Sequence, residues 1–327
     1  MYLADALVEN AGVTGGCPRF LRPFMGALYT AKLAKPIQRV RAKAAPLFAE
    51  RRAIIDAIAQ GADIPEPGDH LQMMMNFARK ERPVEYTHDE DLTRRLVISN
   101  FASMHQTSIQ VTNMLLNIVG SDAEYNTIAE LREETQAVLR DSPDVRWTKA
   151  KVGKMVKSDS VARETLRLHS FGNRSVFRKV VRNGVVTPDG VTLPVGAIVS
   201  FLSYPVHADS EIYDNPLKYD PFRHSRLRQA ASSEAGANEP QGETKNAGGV
   251  SFVSTSVQHL PFGHGKHACP GRFLIDYELK MIISYVLERY DIRLPEQYGG
   301  KRPDNRWVTE AILPPQNVKI LVKRRDV

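Results

Sequence analysis

Leu260-Pro261-Phe262-Gly263-His264-Gly265-Lys266-His267-Ala268-Cys269-Pro270-Gly271-Arg272-Phe273 is a glycine-rich loop that delivers one cysteine to the start of an apolar run. From Arg272 to Tyr290 there is no Gly or Pro, and Phe273, Tyr277, Met281 and Tyr285 recur every fourth residue, which is helical spacing. Pro270 suits the first helical position, where its missing N–H would have no partner anyway. Cys269 is therefore expected at a helix N-terminus, where unpaired backbone N–H groups and the positive dipole end favour a thiolate and can bond to its sulfur. Gly263, Gly265 and Gly271 lack the Cβ that would hold a flat partner away. The local chemistry is that of a thiolate presented to a large planar ligand.

Other readings stand beside this one. A lone cysteine in apolar surroundings is ordinarily inert, and three glycines with a proline ordinarily mark only a loop. A zinc site needs more ligands nearby, and the only other cysteine, Cys17, is far away in sequence. A cysteine protease needs a distant His and an orienting Asn or Asp, which the sequence does not single out.

The spacing of Phe262, Gly265, His267, Cys269 and Gly271 resembles the haem-binding signature of the cytochrome P-450 superfamily, FxxGx[RH]xCxG. The resemblance implies a mainly α fold with a small β region, haem as cofactor, and Cys269 as the axial iron ligand, with Phe262, Gly263, Gly265, His267 and Gly271 around the porphyrin. A thiolate ligand pushes electron density toward iron and favours O–O cleavage. In the family, His267 occupies a place that meets a haem propionate.

Composition sets outer bounds. With 327 residues, 42% apolar and 25% charged, the chain is globular and can bury a core. Two cysteines make no disulfide framework, which points to a reducing compartment. Met1 to Gly16 lacks the pattern of a signal peptide, and no apolar run approaches membrane-spanning length. A formal charge of +7 gathers partly in Lys32, Lys35, Arg39, Arg41, Lys43, Arg51 and Arg52. Such a run is ordinarily a solvated helix face; docking of an acidic redox partner is the functional alternative. No stacking platform accompanies it, which argues against nucleic acid.

Along the chain, residues 1–59 read as mainly helical with breaks near Gly15 to Pro18 and Pro23, and Pro36 and Pro46 kink or divide the later part. A loop at Ile64 to Gly68 precedes a helix from Asp69 to about Lys80. Asp89 to Val119 reads as one long helix ending at Gly120. Its middle is polar, with Ser99, Asn100, Ser103, His105, Gln106, Thr107, Ser108 and Gln110. Polar groups in a buried helix need partners, and Ser or Thr bonding back to the preceding turn bends it. In the resembled family this segment is the kinked helix over the haem, and Ala102 to Thr107 is similar to its proton-feeding motif. His105 stands at the place of the usual acid and Gln106 where the threonine falls, with Thr107 one residue later. A histidine at that place resembles a fungal group of secondary metabolism that includes ent-kaurene oxidase-like enzymes acting on terpenoids.

Ser121 to Leu139 reads as a helix, and another runs from Trp147 through Asp159 to about His169. Within it, Glu164 and Arg167 share one face at i,i+3. By the resemblance they are the ExxR pair, joined by Arg223 in a charged lock that shapes the haem loop. Val176 to Arg182 and Val185-Val186 read as a hairpin about Asn183-Gly184, with a second turn at Pro188-Asp189-Gly190 and a strand from Ala197 to Leu202. The family places a propionate-binding base at Arg174, with Arg178 as competitor, and a substrate-contacting turn at Ser170 to Asn173. Residues 225–249, rich in Ala, Ser, Glu and Gly, read as a mobile insertion. Arg293 to Pro295 and Asn317 to Val322 suggest a closing strand pair.

The resemblance covers essentially the whole chain as a single domain, but only the later part of the family fold. It implies that the anchor helix and an early haem-gripping helix are missing. An intact member would sit on the cytosolic face of the endoplasmic reticulum membrane, whereas this chain would be soluble. The function implied is a haem-dependent monooxygenase of apolar small molecules, supplied with NADPH electrons by a flavoprotein reductase. The alternatives are a haem-binding remnant without turnover and a helical scaffold with no cofactor.

Overall fold

The structure, a computed structural model, describes residues 10, 12–140, 147–234, 250–308 and 310–326. The chain divides into two compact units, Met1–His105 and Gln106–Val327. Among the described residues no helix is long and apolar enough to cross a membrane.

In the first unit, helix α1 (Arg22–Ala59) runs unbroken through Pro36 and Pro46, and Pro23 lies in its first turn. Proline is tolerated there because the first amides of a helix have no partner to lose. Helices α2 (His70–Glu81), α3 (Pro83–Thr87) and α4 (Asp89–Asn100) follow. Asp69 caps α2 by accepting the Gln72 amide at 2.9 Å, which fixes where it begins. Phe48, Ile55, Met75, Ala78 and Leu92 form the core of this unit. Two members of the basic run are inward ties: Arg51 pairs with Asp69 at 2.8 Å and Arg52 with Asp89 at 2.6 Å.

The long helix expected from Asp89 is not uniform. Phe101–His105 is π-helical, after Ser99 and Asn100 have bonded back to the carbonyls of Arg95 and Leu96, each at 2.8 Å. Helical hydrogen bonding there is displaced by side chains, and π-turns recur at functional sites.

The second unit opens with α5 (Gln106–Tyr125), which continues past Gly120. A Cβ on Gly120 would lie 2.8 Å from Arg302 Cβ, so this glycine serves close packing and does not end the helix. The end comes at Asn126, whose φ of 52° is left-handed. Helix α6 (Thr127–Arg140) follows, then α7 (Lys149–Gly153) and α8 (Val156–His169), two helices where one was expected. The apolar core joins Met114, Leu116 and Ile118 of α5, Leu131 of α6 and Val161 and Leu166 of α8 to Leu279, Ile283 and Leu287 further on.

Among the described residues four two-stranded antiparallel sheets follow. Strand β1 (Arg174–Lys179) pairs with β4 (Ile198–Leu202), while β2 (Val185–Val186) pairs with β3 (Thr192–Leu193). The hairpin expected about Asn183-Gly184 is thus replaced. Val180 extends the β1 pairing by exchanging hydrogen bonds with Ala197 and Gly196, so the later strand β4, and not Val185-Val186, is the partner of β1. Helices α9 (Ser203–His207), α10 (Arg223–Glu234) and α11 (Arg272–Arg289) surround the cysteine loop in sequence. Residues 225–234 of the expected mobile insertion are helical. Ser225 is buried, its amide donating to Ser160 Oγ at 3.0 Å, and the remainder of that segment, 235–249, lies outside the described residues. Strand β5 (Tyr290–Arg293) pairs with β8 (Leu321–Arg324), and β6 (Arg306–Val308) with β7 (Ala311–Leu313).

Helix α8 buries more than its apolar positions Val161, Ala162, Leu166 and Leu168. Every residue from Ser158 to Leu168 is buried, including Asp159, Arg163, Glu164 and Arg167. A buried polar helix stands only if its side chains are partnered, and these are. Ser158 donates to Glu134 at 2.6 Å, Asp159 pairs with Lys280 at 2.8 Å, and Arg163 donates to the carbonyls of Ser251 and Ser254. Thr165 accepts from Asn117 at 3.1 Å.

Candidate functional site

The structure brings Glu164, Arg167 and Arg223 together. Arg167 grips Glu164 with both ends of its fork, Nε to Oε2 at 2.8 Å and Nη2 to Oε1 at 2.7 Å, and both side chains are fully buried. Arg223 Nε reaches Oε1 at 3.2 Å, and His224, which directly follows it, reaches Oε2 at 3.2 Å. Arg167 also donates to the carbonyls of His207 and Pro216 and lies over the Tyr213 ring at 4.8 Å. Burial alone would push the Glu164 carboxyl up, but the bonds from Arg167 and His224 and the Arg167 charge hold it well below the usual carboxylate range.

The cysteine loop is pinned at both ends. The Leu260 carbonyl accepts from Ser175 Oγ at 2.8 Å and from the Gly263 amide at 2.9 Å. The Cys269 amide donates to the Phe262 carbonyl at 2.8 Å, and the Cys269 carbonyl accepts Arg272 Nη1 at 2.7 Å. Its side chain is exposed. Gly263 and Gly265 adopt φ of 72° and 73°, values that favour glycine. Helix α11 begins at Arg272 with Gly271 as an N-cap that makes no side-chain bond, so Pro270 precedes the helix instead of opening it. The inward stripe of α11 is Leu279, Ile283 and Leu287; Phe273 and Tyr285 are exposed. The recurrence of Phe273, Tyr277, Met281 and Tyr285 marked the helix, while the packed side also holds buried Lys280, paired with Asp159 and Asp276.

Beside the loop is a cavity of about 510 Å³ lined by Val176, Phe177, Arg178, Lys179, Gly263, His264 and His267. Arg178 lines this cavity, and Arg174 pairs with Glu310 at 3.2 Å. Val176 is held at φ 55°, a costly conformation for a β-branched residue, where the β1–β4 register shifts between Ser175 and Arg178.

The division between units falls between His105 and Gln106. His105 stacks on Phe101 with centroids 5.5 Å apart. Gln106 is half-buried in the first turn of α5. Thr107 Oγ1 donates to Glu278 Oε2 of α11 at 3.1 Å, so a carboxylate does reach this threonine, from the helix that follows the cysteine loop. Farther along α5, Gln110 and Asn113 donate to the His169 carbonyl at the end of α8, which accounts for polar residues on a buried helix.

Sequence reasoning missed three buried histidines behind the loop. His207, His224 and His259 adjoin, with ring centroids 5.5 Å apart for His207–His259 and 6.3 Å for His224–His259. Only the adjacency of His224 to Arg223 could have hinted at one of them. Burial, with the Arg167 charge next, lowers His207 from 6.5 to about 4. Burial likewise lowers His224, and His259 well below its ordinary value. The unfolded chain binds more protons than the folded one between about pH 6.5 and 4, so stability present at neutral pH is lost as pH falls through that window. His207 alone is expected to contribute about 2 kcal/mol of this loss by pH 5. Urea midpoints at about pH 7.5 and pH 5 will differ accordingly, and less so for His207→Gln.

A family model described as Cytochrome P450 matches residues 17–322. A protein described as cytochrome P450 monooxygenase pbrC, from Penicillium brasilianum, is 48% identical over 324 residues, covering 98% of this chain and 59% of that protein. Cytochrome P450 monooxygenase astC from Aspergillus terreus is 46% identical over 327 residues, with the same coverage of each. Cytochrome P450 monooxygenase tenB from Beauveria bassiana is 41% identical over 322 residues, again covering 98% and 59%. The chain thus spans about three-fifths of the length of these relatives.

Proposed function

The chain belongs to the cytochrome P450 family, and from that premise we propose that it forms the haem-binding part of a fungal monooxygenase acting on an apolar small molecule. The observation that carries this reading is Cys269, exposed at the uncapped start of α11 while its backbone is tied on both sides. The residues present fit the group. Among the described residues no three His, Cys, Asp or Glu side chains could hold a metal ion together. A metal at Cys269 therefore has to bring its other ligands with it, as a porphyrin does. Gly271 needs no left-handed φ, and a Cβ there would make only an ordinary 3.7 Å contact with Cys269 Sγ. The space it leaves is room for something outside the polypeptide.

In this reading Cys269 Sγ would hold the haem iron, and the open amides at the start of α11 favour negative charge on sulfur. Arg178 and His267, on one cavity wall, supply positive charge and a hydrogen-bond donor suited to propionates. Haem supplies dioxygen activation when bound, and a flavoprotein reductase delivers the electrons from NADPH. Thr107 holds its hydroxyl proton toward Glu278, an arrangement suited to passing protons inward. Thr107→Ala is expected to lower product formed per NADPH consumed several-fold while leaving haem content unchanged; unchanged coupling would remove Thr107 from the relay.

The test of the whole reading is the dithionite-reduced, CO-bound difference spectrum of the chain supplied with haem. A thiolate-type band is expected. No Soret absorbance would favour the cofactor-free scaffold, and haem bound without NADPH-dependent turnover in an intact protein would favour the remnant.

A further inference from the structure

His207 ends the short helix α9; its carbonyl and its ring Nε2 are engaged, while its buried Nδ1 meets no hydrogen-bond partner among the described residues. Its carbonyl accepts from Arg167 Nη1, and its ring Nε2 accepts the Leu260 amide at 2.9 Å. An imidazole that accepts at Nε2 carries its proton on Nδ1, so the bond exists only for the neutral ring. The Leu260 peptide unit is the foot of the cysteine loop, since its carbonyl receives both Ser175 Oγ and the Gly263 amide. A continuous path of hydrogen bonds therefore runs from Glu164 through Arg167 and His207 to Leu260, and the loop that starts there closes on Cys269 through the Phe262 carbonyl.

We propose that His207 is a positioning residue, whose neutral ring fixes the foot of the cysteine loop and so sets the reach of Cys269 Sγ toward its ligand. It rests on the reading of Cys269 as an iron ligand for its consequence, and on the Leu260 bond for its geometry. Among the charged groups acting on the ring, Arg163 and Arg167 from α8 oppose a further positive charge, and Glu164, already shared by Arg167, Arg223 and His224, is the smaller opposing influence; His259 is buried alongside. A buried amide without an acceptor is costly, so no water-filled substitute stands in readily for this bond.

The test compares His207→Leu, which fills the space without an acceptor, with His207→Gln, whose amide oxygen reaches the place of Nε2. Amide hydrogen exchange of residues 259–263 in the full chain at neutral pH is the first readout and needs no cofactor. His207→Leu is expected to exchange about ten-fold faster or more than the parent, with His207→Gln within about two-fold of it. The second readout is the share of thiolate-type band in the reduced, CO-bound spectrum, expected to fall with Leu and return with Gln. Unchanged exchange in His207→Leu, or a Gln variant no better than Leu, overturns the proposal. Should Leu fail to fold, a Gln variant that loses protection overturns it and one that keeps protection supports it. If the parent takes up no haem, the functional reading fails while the exchange readout still decides His207.

Discussion

Arg167→Ala is expected to abolish haem incorporation and to destabilise the Gln106–Val327 unit by about 3–5 kcal/mol. The Glu164 carboxylate it abandons has no exposure to water. Its remaining donors are Arg223 Nε, His224 Nε2 and the Asp220 amide, at 3.2, 3.2 and 3.3 Å, all longer than the two bonds lost. The carbonyls of His207 and Pro216 lose a charged donor at the same time. Because the carboxyl is held far below its ordinary range by those bonds, removing them lets burial dominate and drives it toward protonation. Urea denaturation measures the first part, and Soret absorbance after haem supplementation the second. Arg167→Lys should be only partly protective, since an ammonium cannot span both oxygens as the fork does. Normal haem content in the alanine variant would refute the role.

Cys269→Ala is expected to behave in the opposite way: complete loss of the thiolate-type spectrum with stability within about 0.5 kcal/mol of the parent. The side chain is exposed, and the loop is held by backbone bonds of Phe262, Leu260 and Cys269 itself that alanine can still make. The only other thiol is Cys17, near the opposite end of the sequence. A thiolate-type band surviving in Cys269→Ala would end the assignment. Together the two variants separate a residue that builds the site from one that does its chemistry.

The motif residues were legible because chemistry fixes their spacing within one loop. The helix after Cys269 and the Glu164–Arg167 pair were legible for the same reason, being local. What was not legible depends on residues far apart in the chain. Nothing near Thr107 announces Glu278, and nothing near Leu260 announces His207. Gly120 resembled a helix stop because its packing against Arg302 is invisible in sequence. The turn at Asn183-Gly184 has the residues of a hairpin, yet β1 has a competing partner in β4. Helix α8 was recognised as a helix, but periodicity could not place it at the centre, since Asp159, Arg163, Glu164 and Arg167 are buried together with its apolar residues.

That polar centre has a consequence for how the protein reaches its native state. The partners of α8 lie far along the chain: Glu164 waits for Arg223 and His224, Arg163 for Ser251, and Asp159 for Lys280. An apolar helix can collapse onto whichever neighbour arrives first, whereas these charges gain shelter only when every counterpart is in place. Consolidation of the middle of this unit therefore belongs to the last stage of folding, after the chain has been made as far as Lys280, and nascent chains shorter than that leave the helix wet.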